Sequence, residues 1–196
     1  MSTPEDLRRS GRRRSPVRSG PAGFTLVELM IALAVLAILM MIAAPSFEMV
    51  RNSSRLAAQA NELVSAIQLA RSEAVRRGQR VVMCRSENGN ACAGAGGNWA
   101  GWLVFADANG NGSVDAGEEL LRVGDVRAPV TVAATDGSIV FRPDGFAREG
   151  NLLAAATIAV CVATTRPADN RRLVTIRSGS RVAVQTGNGN GACPAP

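Results

Sequence analysis

The sequence of 196 residues contains no histidine, no lysine and no tyrosine, and aromatic residues make up only 4% of it. Without histidine, the chain lacks the side chain that most often performs acid–base or triad chemistry near neutral pH. It also has no Gly-x-Ser-x-Gly stretch and no Cys-x-x-Cys pair. These absences argue against a hydrolase and against a thiolate metal site. We therefore predict that the protein is not an enzyme.

The positive charge is concentrated at the start of the chain. All 22 basic residues are arginines, and six of them lie before residue 20, where only Glu5 and Asp6 oppose them. This stretch carries +4 of the formal net charge of +6. Arginines beside an apolar segment stay on the cytoplasmic side of a membrane. The charge distribution therefore predicts a cytoplasmic N-terminus, with the rest of the chain on the other side.

A continuous apolar segment follows the arginines, from Phe24 to Ala44. As a helix, 21 residues are about 31 Å long, which matches a hydrocarbon core of about 30 Å. A cleaved secretory signal has a shorter apolar segment with its cleavage site after it. Here the small residue and the basic flank both precede the apolar segment. We predict a retained membrane-spanning helix.

One carboxylate, Glu28, interrupts this apolar segment. A charged side chain in hydrocarbon costs on the order of 2–3 kcal/mol, and less near the interface, so it usually has a function and a partner. A simpler interpretation is that Glu28 lies at the headgroup level and interacts with the positive end of the helix dipole. Both interpretations stay open on the residues alone.

The sequence Gly23-Phe24-Thr25-Leu26-Val27-Glu28, followed by an apolar helix that contains Pro45, resembles the N-terminal signal of type IV pilins and type II secretion pseudopilins. The resemblance implies that a prepilin peptidase removes residues 1–23 as a leader and methylates the new N-terminal Phe24. Glu28 then meets the N-terminal amine of a neighbouring subunit during assembly. An amine and a carboxylate, each costly alone in a low-dielectric helix bundle, offset one another when paired.

The same resemblance implies a location and a set of partners. The protein is expected in the inner membrane as a single-pass protein, with a periplasmic C-terminal domain, and then in a pilus or pseudopilus. The expected partners are other pilins or pseudopilins, contacted through the N-terminal helix, the prepilin peptidase and an inner-membrane assembly platform.

A second helical pattern continues beyond the span. Pro45 should kink the helix without necessarily ending it. From Leu56 to Ala74, apolar residues recur at spacings of three, four and seven, with charged and amide residues between them. This pattern is typical of an amphipathic helix, and Gly78 is expected to stop it. One helix is therefore predicted from Phe24 to Arg77, with residues 45–78 as its amphipathic continuation.

The pattern of short β-prone segments and turn residues predicts that residues 79–196 form a β-rich domain. Eight strands are predicted, at Arg80–Cys84, Trp102–Phe105, Glu119–Val123, Val130–Ala133, Ser138–Phe141, Thr157–Val162, Leu173–Arg177 and Arg181–Gln185. Periodicity alone indicates an α+β fold, and the resemblance implies a long helix packed on an antiparallel β-sheet. Segments at Ala58–Leu63, Ala70–Ala74 and Gly101–Glu119 look like the GspH/FimT branch of minor pilins and pseudopilins.

The four cysteines lie on the exported side, where disulfides are the default expectation. Three pairings are possible. We favour Cys84–Cys92, which closes a short loop, together with Cys161–Cys193, which ties the chain end to a strand. Chain entropy would give about 2–3 kcal/mol for the first bond and about 3–4 kcal/mol for the second.

Residues 107–118 read DANGNGSVDAGE and match the spacing of a calcium loop. The candidate ligands are Asp107, Asn109, Asn111, Ser113, Asp115 and Glu118. The flanking segments are predicted strands, however, and two Asn-Gly steps are also what a metal-free hairpin loop needs. The sequence leaves both a weak Ca²⁺ site and a metal-free turn open.

Arginines also gather near the C-terminus, at Arg166, Arg171, Arg172, Arg177 and Arg181. Some FimT proteins bind DNA through a late Gly-Arg-x-Arg stretch, and Ser180-Arg181-Val182-Ala183 matches one arginine of that pair. A few phosphate contacts would give salt-sensitive DNA binding without sequence preference. The alternative is a solvated strand face that binds nothing.

The favoured function is a FimT-like minor pilin that joins or primes a type IV pilus, with DNA uptake as an added role. The alternative is a GspH-like pseudopilin of a type II secretion machine, which shares the signal and the fold.

Overall fold

The computed structural model describes residues 23–94, 96–178 and 181–196. The first 22 residues of the expected leader, including its six arginines, lie outside the described residues. The chain divides into two compact units, Met1–Met41 and Ile42–Pro196.

One long helix, α1, extends over Leu26–Arg77 and has 52 residues. It begins after Thr25, whose Oγ1 accepts a hydrogen bond from the backbone N–H of Glu28 at 3.2 Å, as an N-cap residue does. It ends at Gly78, which adopts φ 63°, a left-handed conformation that glycine tolerates at a helix end. The helix continues through Pro45, as predicted. It starts two residues after the predicted Phe24 because Thr25 provides the cap.

The described part of the first unit is the apolar beginning of α1. Its large side chains, from Leu26 to Met41, are about half to three-quarters exposed. An 18-residue window has a mean hydropathy of 2.8, and none of it is buried. By length and composition, this helix can cross a membrane.

The second unit contains two four-stranded antiparallel sheets. Sheet A has the order β3-β2-β1-β5 and comprises β1 (Arg80–Ser86), β2 (Gly101–Asp107), β3 (Leu120–Asp125) and β5 (Ser138–Phe141). Sheet B has the order β10-β9-β8-β4 and comprises β4 (Val130–Ala134), β8 (Ala156–Val162), β9 (Arg171–Arg177) and β10 (Arg181–Gly187). A hairpin of β6 (Arg148–Glu149) and β7 (Leu152–Leu153) forms a third, two-stranded sheet.

These strands agree with the sequence prediction in most respects. All eight predicted strands are present, with ends within two residues of the predicted ones, and the α+β fold with antiparallel pairing is confirmed. The strands form two main sheets where one was predicted. Two further strands, β6 and β7, were not predicted because two residues are too few to show an alternating pattern.

The main core forms where the second half of α1 packs on both sheets. Leu56, Leu63 and Ile67 of the helix are fully buried in the same cluster as Trp102 of sheet A and Ile176 of sheet B. Each such side chain contributes about 1.5–3 kcal/mol when it is removed from water. The helix therefore closes the domain, as its amphipathic pattern predicted.

Sheet A is also buried on its opposite face. Successive side chains of a strand point to opposite faces, and a second cluster contains Val82 and Cys84 of β1 with Leu103 and Phe105 of β2. Partly buried Val114, in the loop that follows β2, packs against it. All seven residues of β2 are buried for this reason. The acidic loop is thus anchored to the sheet by an apolar contact.

Ion pairs connect the end of α1 to the start of sheet A. Arg76 Nη2 and Arg77 Nε both lie 2.6 Å from Glu73 Oε2, and Arg77 Nη1 lies 2.6 Å from Glu119 Oε2. Hydrogen bonds from Arg76 and then Arg77 lower the pKa of the Glu73 carboxyl to about 2. The carboxylate of Glu73 is therefore more stable as an anion in the folded chain than in the unfolded chain.

We expect Glu73→Gln to remove part of the acid sensitivity of the fold. A lowered folded-state pKa gives stability that is present above about pH 4.5 and is lost as the pH falls towards 2. The wild-type melting temperature, measured on the full chain in detergent, should therefore fall more steeply over this range than that of the variant. Glu62→Gln is the matched control, because Glu62 has no ion pair within the described residues. Parallel profiles for wild type and Glu73→Gln would contradict the prediction.

Candidate functional site

The expected assembly site lies at the beginning of α1. Gly23 and Phe24 precede the helix, and the Phe24 side chain is 83% exposed. Glu28 lies in the first turn, where its side chain is exposed and makes no hydrogen bond or ion pair to any described residue. Pro45 lies within the same helix and is partly buried. The single chain therefore presents an apolar helix with one unpaired carboxylate near its start.

Both predicted disulfides are present. Cys84 bonds to Cys92 with an S–S distance of 2.03 Å, and Cys161 bonds to Cys193 at 2.06 Å. Within the described residues no cysteine is free. The first bond attaches the loop after β1 to the second core cluster, and the second attaches the C-terminal segment to β8.

Asn170 also holds the C-terminal segment, and the sequence showed no signal for this role. Its fully buried amide donates to the carbonyl oxygens of Val162 at 2.9 Å and Ala192 at 3.1 Å. Its Oδ1 accepts from the backbone N–H of Gly189 at 2.7 Å. A single asparagine before a strand can take many structural roles, so its contacts could not be predicted from the sequence.

The acidic loop begins at Asp107, the last residue of β2, whose side chain is completely buried. Its two carboxylate oxygens accept backbone N–H groups from Gly110 at 2.8 Å and Gly112 at 3.2 Å. Arg80 places Nε 3.4 Å from Asp107 Oδ2 and donates from Nη1 to the carbonyl of Gly110 at 2.8 Å. The guanidinium of Arg80 thus supplies a positive charge to the first candidate calcium ligand.

The other candidate ligands also bond within the loop. Glu118 accepts the backbone N–H groups of Ala108 at 2.9 Å and Asp115 at 3.1 Å. Asp115 Oδ2 accepts from the side-chain amides of Asn109 at 2.8 Å and Asn111 at 2.6 Å. These two bonds, that from Asn109 first, lower the pKa of the Asp115 carboxyl. The conformation of the loop is therefore stabilised by hydrogen bonds to its own side-chain oxygens.

Ser113 contributes only its backbone N–H, which donates to Asn111 Oδ1 at 2.8 Å. In the part of the chain that the structure describes, no group of three or more Asp, Glu, Cys or His side chains is arranged to hold a metal ion. Ca²⁺ binding by this loop stays a prediction from the sequence. The oxygens of Asp107, Asp115 and Glu118 already accept hydrogen bonds within the loop.

The five arginines of the expected DNA site do not form one patch. Arg177 and Arg181 lie directly opposite each other on β9 and β10, and both are exposed. Arg171 lies at the other end of β9, about 20 Å away at the usual rise per residue, and donates to the carbonyl of Pro194. Arg172 shares the face of buried Val174 and donates to the carbonyl of Asp169.

Arg166 lies in the loop before β9, where its Nη1 is 3.9 Å from Glu48 Oε2 of α1. Ser180, the start of the expected motif, lies outside the described residues. Only Arg177 and Arg181 are thus adjacent, exposed and without a hydrogen bond or ion pair to a described residue. The structure separates this pair from three arginines that already contact the chain itself.

An exposed apolar helix that continues into the core of an antiparallel α+β domain defines a pilin-like protein. Residues 59–189 match the family described as type II transport protein GspH, and residues 18–44 match the prokaryotic N-terminal methylation motif. The first match covers well over half of the chain, so the chain belongs to the GspH family and is a minor pilin or pseudopilin.

Three solved structures resemble the fold. Two are crystal forms of the type IV minor pilin FimU from Pseudomonas aeruginosa strain PAO1, each 22% identical. The P21 form has a TM-score of 0.52 and covers 68% of this chain and 90% of that chain. The P65 form has a TM-score of 0.49, and the match covers 66% of this chain and 92% of that chain.

The third structure is the minor pseudopilin EpsH from the type 2 secretion system of Vibrio cholerae, with 9% identity and a TM-score of 0.47. The match covers 67% of this chain and 97% of that chain. The likeness to the P21 form of FimU shows a common fold. No curated protein matches the chain in sequence.

We expect Glu118→Gln to destabilise the acidic loop with or without calcium. Glutamine offers one acceptor oxygen where the carboxylate offers two, so one backbone N–H, of Ala108 or Asp115, loses its partner. The free energy of unfolding should fall by about 1–2 kcal/mol, measured by denaturant titration of the full chain in detergent. Glu149→Gln, which removes an exposed carboxylate elsewhere, should leave it unchanged.

The same titrations, repeated with CaCl₂ and with EDTA, test the metal directly. Because the loop oxygens already accept hydrogen bonds, we expect the denaturant midpoint of wild-type unfolding to be the same with CaCl₂ as with EDTA. A calcium-dependent increase that Asp115→Asn abolishes would show that the ion displaces those bonds.

Proposed function

We propose that this member of the family is a FimT-like minor pilin, which is incorporated into a type IV pilus or primes its assembly. The observation that carries the role in filament assembly is the unpaired carboxylate of Glu28 in an exposed apolar helix, within a segment that matches the N-terminal methylation motif. A lone carboxylate in such a helix is costly in lipid and becomes favourable when a neighbouring subunit supplies a positive charge.

In this proposal the chain is processed in a defined order. Residues 1–23 are the leader, the arginines of which keep the N-terminus in the cytoplasm. The prepilin peptidase cuts after Gly23 and methylates Phe24. Residues 24–44 then span the inner membrane, residues 45–78 continue the helix, and residues 79–196 form the periplasmic domain. The inner-membrane assembly platform transfers the subunit into the filament.

The role is structural, without catalysis by this chain. A GspH-like pseudopilin in type II secretion is the second candidate, because the family match carries that description. The two roles share the Glu28 chemistry and differ in the filament that contains the subunit.

We expect Glu28→Ala to be processed normally and to fail in assembly. Processing needs the residues at the cleavage site, and N-terminal sequencing of the membrane fraction should begin at methylated Phe24. Incorporation into sheared filaments should fall at least tenfold, because losing one partner of a buried pair costs about 3–5 kcal/mol. Glu62→Ala, a carboxylate lost from the same helix beyond the span, is the control.

Incorporation of Glu28→Ala at the wild-type level would contradict the assembly role. Absence of the wild-type protein from sheared pili, together with loss of export of a folded exoprotein in a deletion strain, would assign it to secretion.

A role in DNA uptake is a further part of the proposal, and the geometry of Arg177 and Arg181 supports it. The two residues are paired across neighbouring strands, where like charges destabilise each other. A phosphate between the two guanidinium groups would remove this repulsion. Binding through phosphates alone is sensitive to salt and independent of sequence.

We expect Arg177→Ala/Arg181→Ala to weaken DNA retention in a gel-shift assay with the full mature chain in detergent. The slope of log affinity against log salt should fall by about 1.8 if both arginines each contact one phosphate of a duplex. Arg171→Ala/Arg172→Ala removes the same charge from the other end of β9 and should leave the slope unchanged. Equal retention by wild type and the first variant would remove DNA from the function.

A further inference from the structure

The second unit contains a cavity of about 480 Å³ beside the part of α1 that follows the apolar segment. We call it the juxtamembrane notch and define it by Phe47, Arg51 and Arg55 of the helix, by Val162 at the end of β8, and by Pro129 and Thr164 of the facing loops. One wall is thus helical and bears arginines, and the other is formed where sheet B ends. The sequence patterns did not identify this site.

Two guanidinium groups in the notch have unused donors. Arg55 is half-buried and makes no hydrogen bond or ion pair within residues 23–94, 96–178 and 181–196. Arg51 makes no hydrogen bond or ion pair with a described residue, and its Cζ lies 5.8 Å from the centroid of the Phe47 ring. A partly desolvated guanidinium without an acceptor is unfavourable. An anion that enters the notch would provide acceptors for both arginines.

The acidic residue of the notch does not neutralise these arginines. Glu48 also lines the cavity, but its Oε2 lies 3.9 Å from Nη1 of Arg166. The charged side chains that line the notch, Arg51, Arg55 and Glu48, therefore sum to +1, and Arg166, which lies outside the lining, adds a positive charge beside Glu48. The combination of this charge with the apolar walls of Phe47, Pro129 and Val162 suits an anionic group that is attached to an apolar body.

The notch is held in shape by a buried hydrogen bond. Asn52 is only 6% exposed, and its Nδ2 donates to the backbone carbonyl of Arg166 at 2.9 Å. This bond fixes the loop after β8 against α1. The arginines are thus presented by a structured site, which reduces the ordering cost of binding.

The position of the notch along the helix indicates the source of the anion. Phe47 lies three residues beyond Ala44, about 4.5 Å along the helix axis. Helical side chains lean towards the N-terminus, and the contact with Phe47 shows that Arg51 reaches back to this level. Headgroups occupy about 5–7 Å on each side of the hydrocarbon core. Exposed Phe47, Met49 and Val50 surround Arg51 with apolar surface at this level, and Arg55 lies about one helical turn further from the apolar segment.

We propose that the juxtamembrane notch binds the phosphate of an anionic phospholipid of the leaflet that faces the C-terminal domain. Arg51 and Arg55 donate to the phosphate oxygens, and the apolar wall contacts the beginning of the acyl chains. This inference rests on the proposed membrane topology, in which residues 24–44 span the bilayer. The bound lipid would hold the subunit at a fixed depth before it leaves the membrane.

The test uses the full mature chain in a mild detergent, with lipid binding measured by native mass spectrometry. Phosphatidylglycerol and phosphatidylcholine, matched in acyl chains, are the probes. We expect the wild type to bind phosphatidylglycerol at least tenfold more tightly, since each arginine near an anionic lipid adds to the attraction. Arg51→Ala/Arg55→Ala should lose this preference. Arg177→Ala/Arg181→Ala, which removes the same charge from sheet B, should keep it.

Equal binding of the two lipids by the wild type, or a preference that persists in Arg51→Ala/Arg55→Ala, would overturn the proposal. So would an unchanged lipid preference combined with loss of cross-linking to neighbouring subunits, which would assign the notch to a protein partner. Far-ultraviolet circular dichroism and the melting temperature of each variant show that it is folded. The lipid measurement does not depend on filaments, so the assembly role and the lipid site succeed or fail separately.

Discussion

A single helix in this protein has to be stable in two different environments, and the rest of the structure follows from that requirement. Its first half exposes apolar side chains all round, which only a lipid or a bundle of similar helices can cover. Its second half is apolar on one face and is buried in the core of the domain. Because backbone hydrogen bonds are satisfied within a helix, the same element can serve both surroundings.

The domain compensates for having only one helix by burying both faces of sheet A. The helix covers one face, and loops cover the other, where Cys84 and Leu103 contribute to the second core cluster. Loops hold a core less firmly than a helix does, since their backbone groups need other partners. The Cys84–Cys92 bond and the internal hydrogen bonds of the acidic loop provide that fixation. The acidic residues of the loop thus have a structural role.

The sequence predicted those features that are determined by local chemistry. Gly78 marks the end of the helix because a left-handed residue is needed there, whereas the cap at Thr25 was not predicted. The eight longer strands follow from short β-prone segments between turn residues. The favoured disulfides, one closing a short loop and one tying the chain end to a strand, are both present. Features that depend on distant partners were not predictable in this way. The separation of the strands into two sheets and the contacts of Asn170 are of this kind.

The arginines show most clearly why a charge pattern alone does not locate a site. Arg77, Arg80, Arg148 and Arg172 look the same in the sequence as the others, but each donates to carboxylates or carbonyls of its own chain. Arg51, Arg55, Arg177 and Arg181 have no such acceptor within the described residues. A guanidinium has five N–H donors and cannot lose its charge. An external anion therefore binds most favourably to a guanidinium whose donors have no acceptor within the chain. Arg127, in the loop before β4, also has no such acceptor among the described residues, and the other four form two separate pairs, one beside the apolar part of α1 and one on sheet B. The proposed lipid site and the proposed nucleic acid site therefore lie on different parts of the same chain.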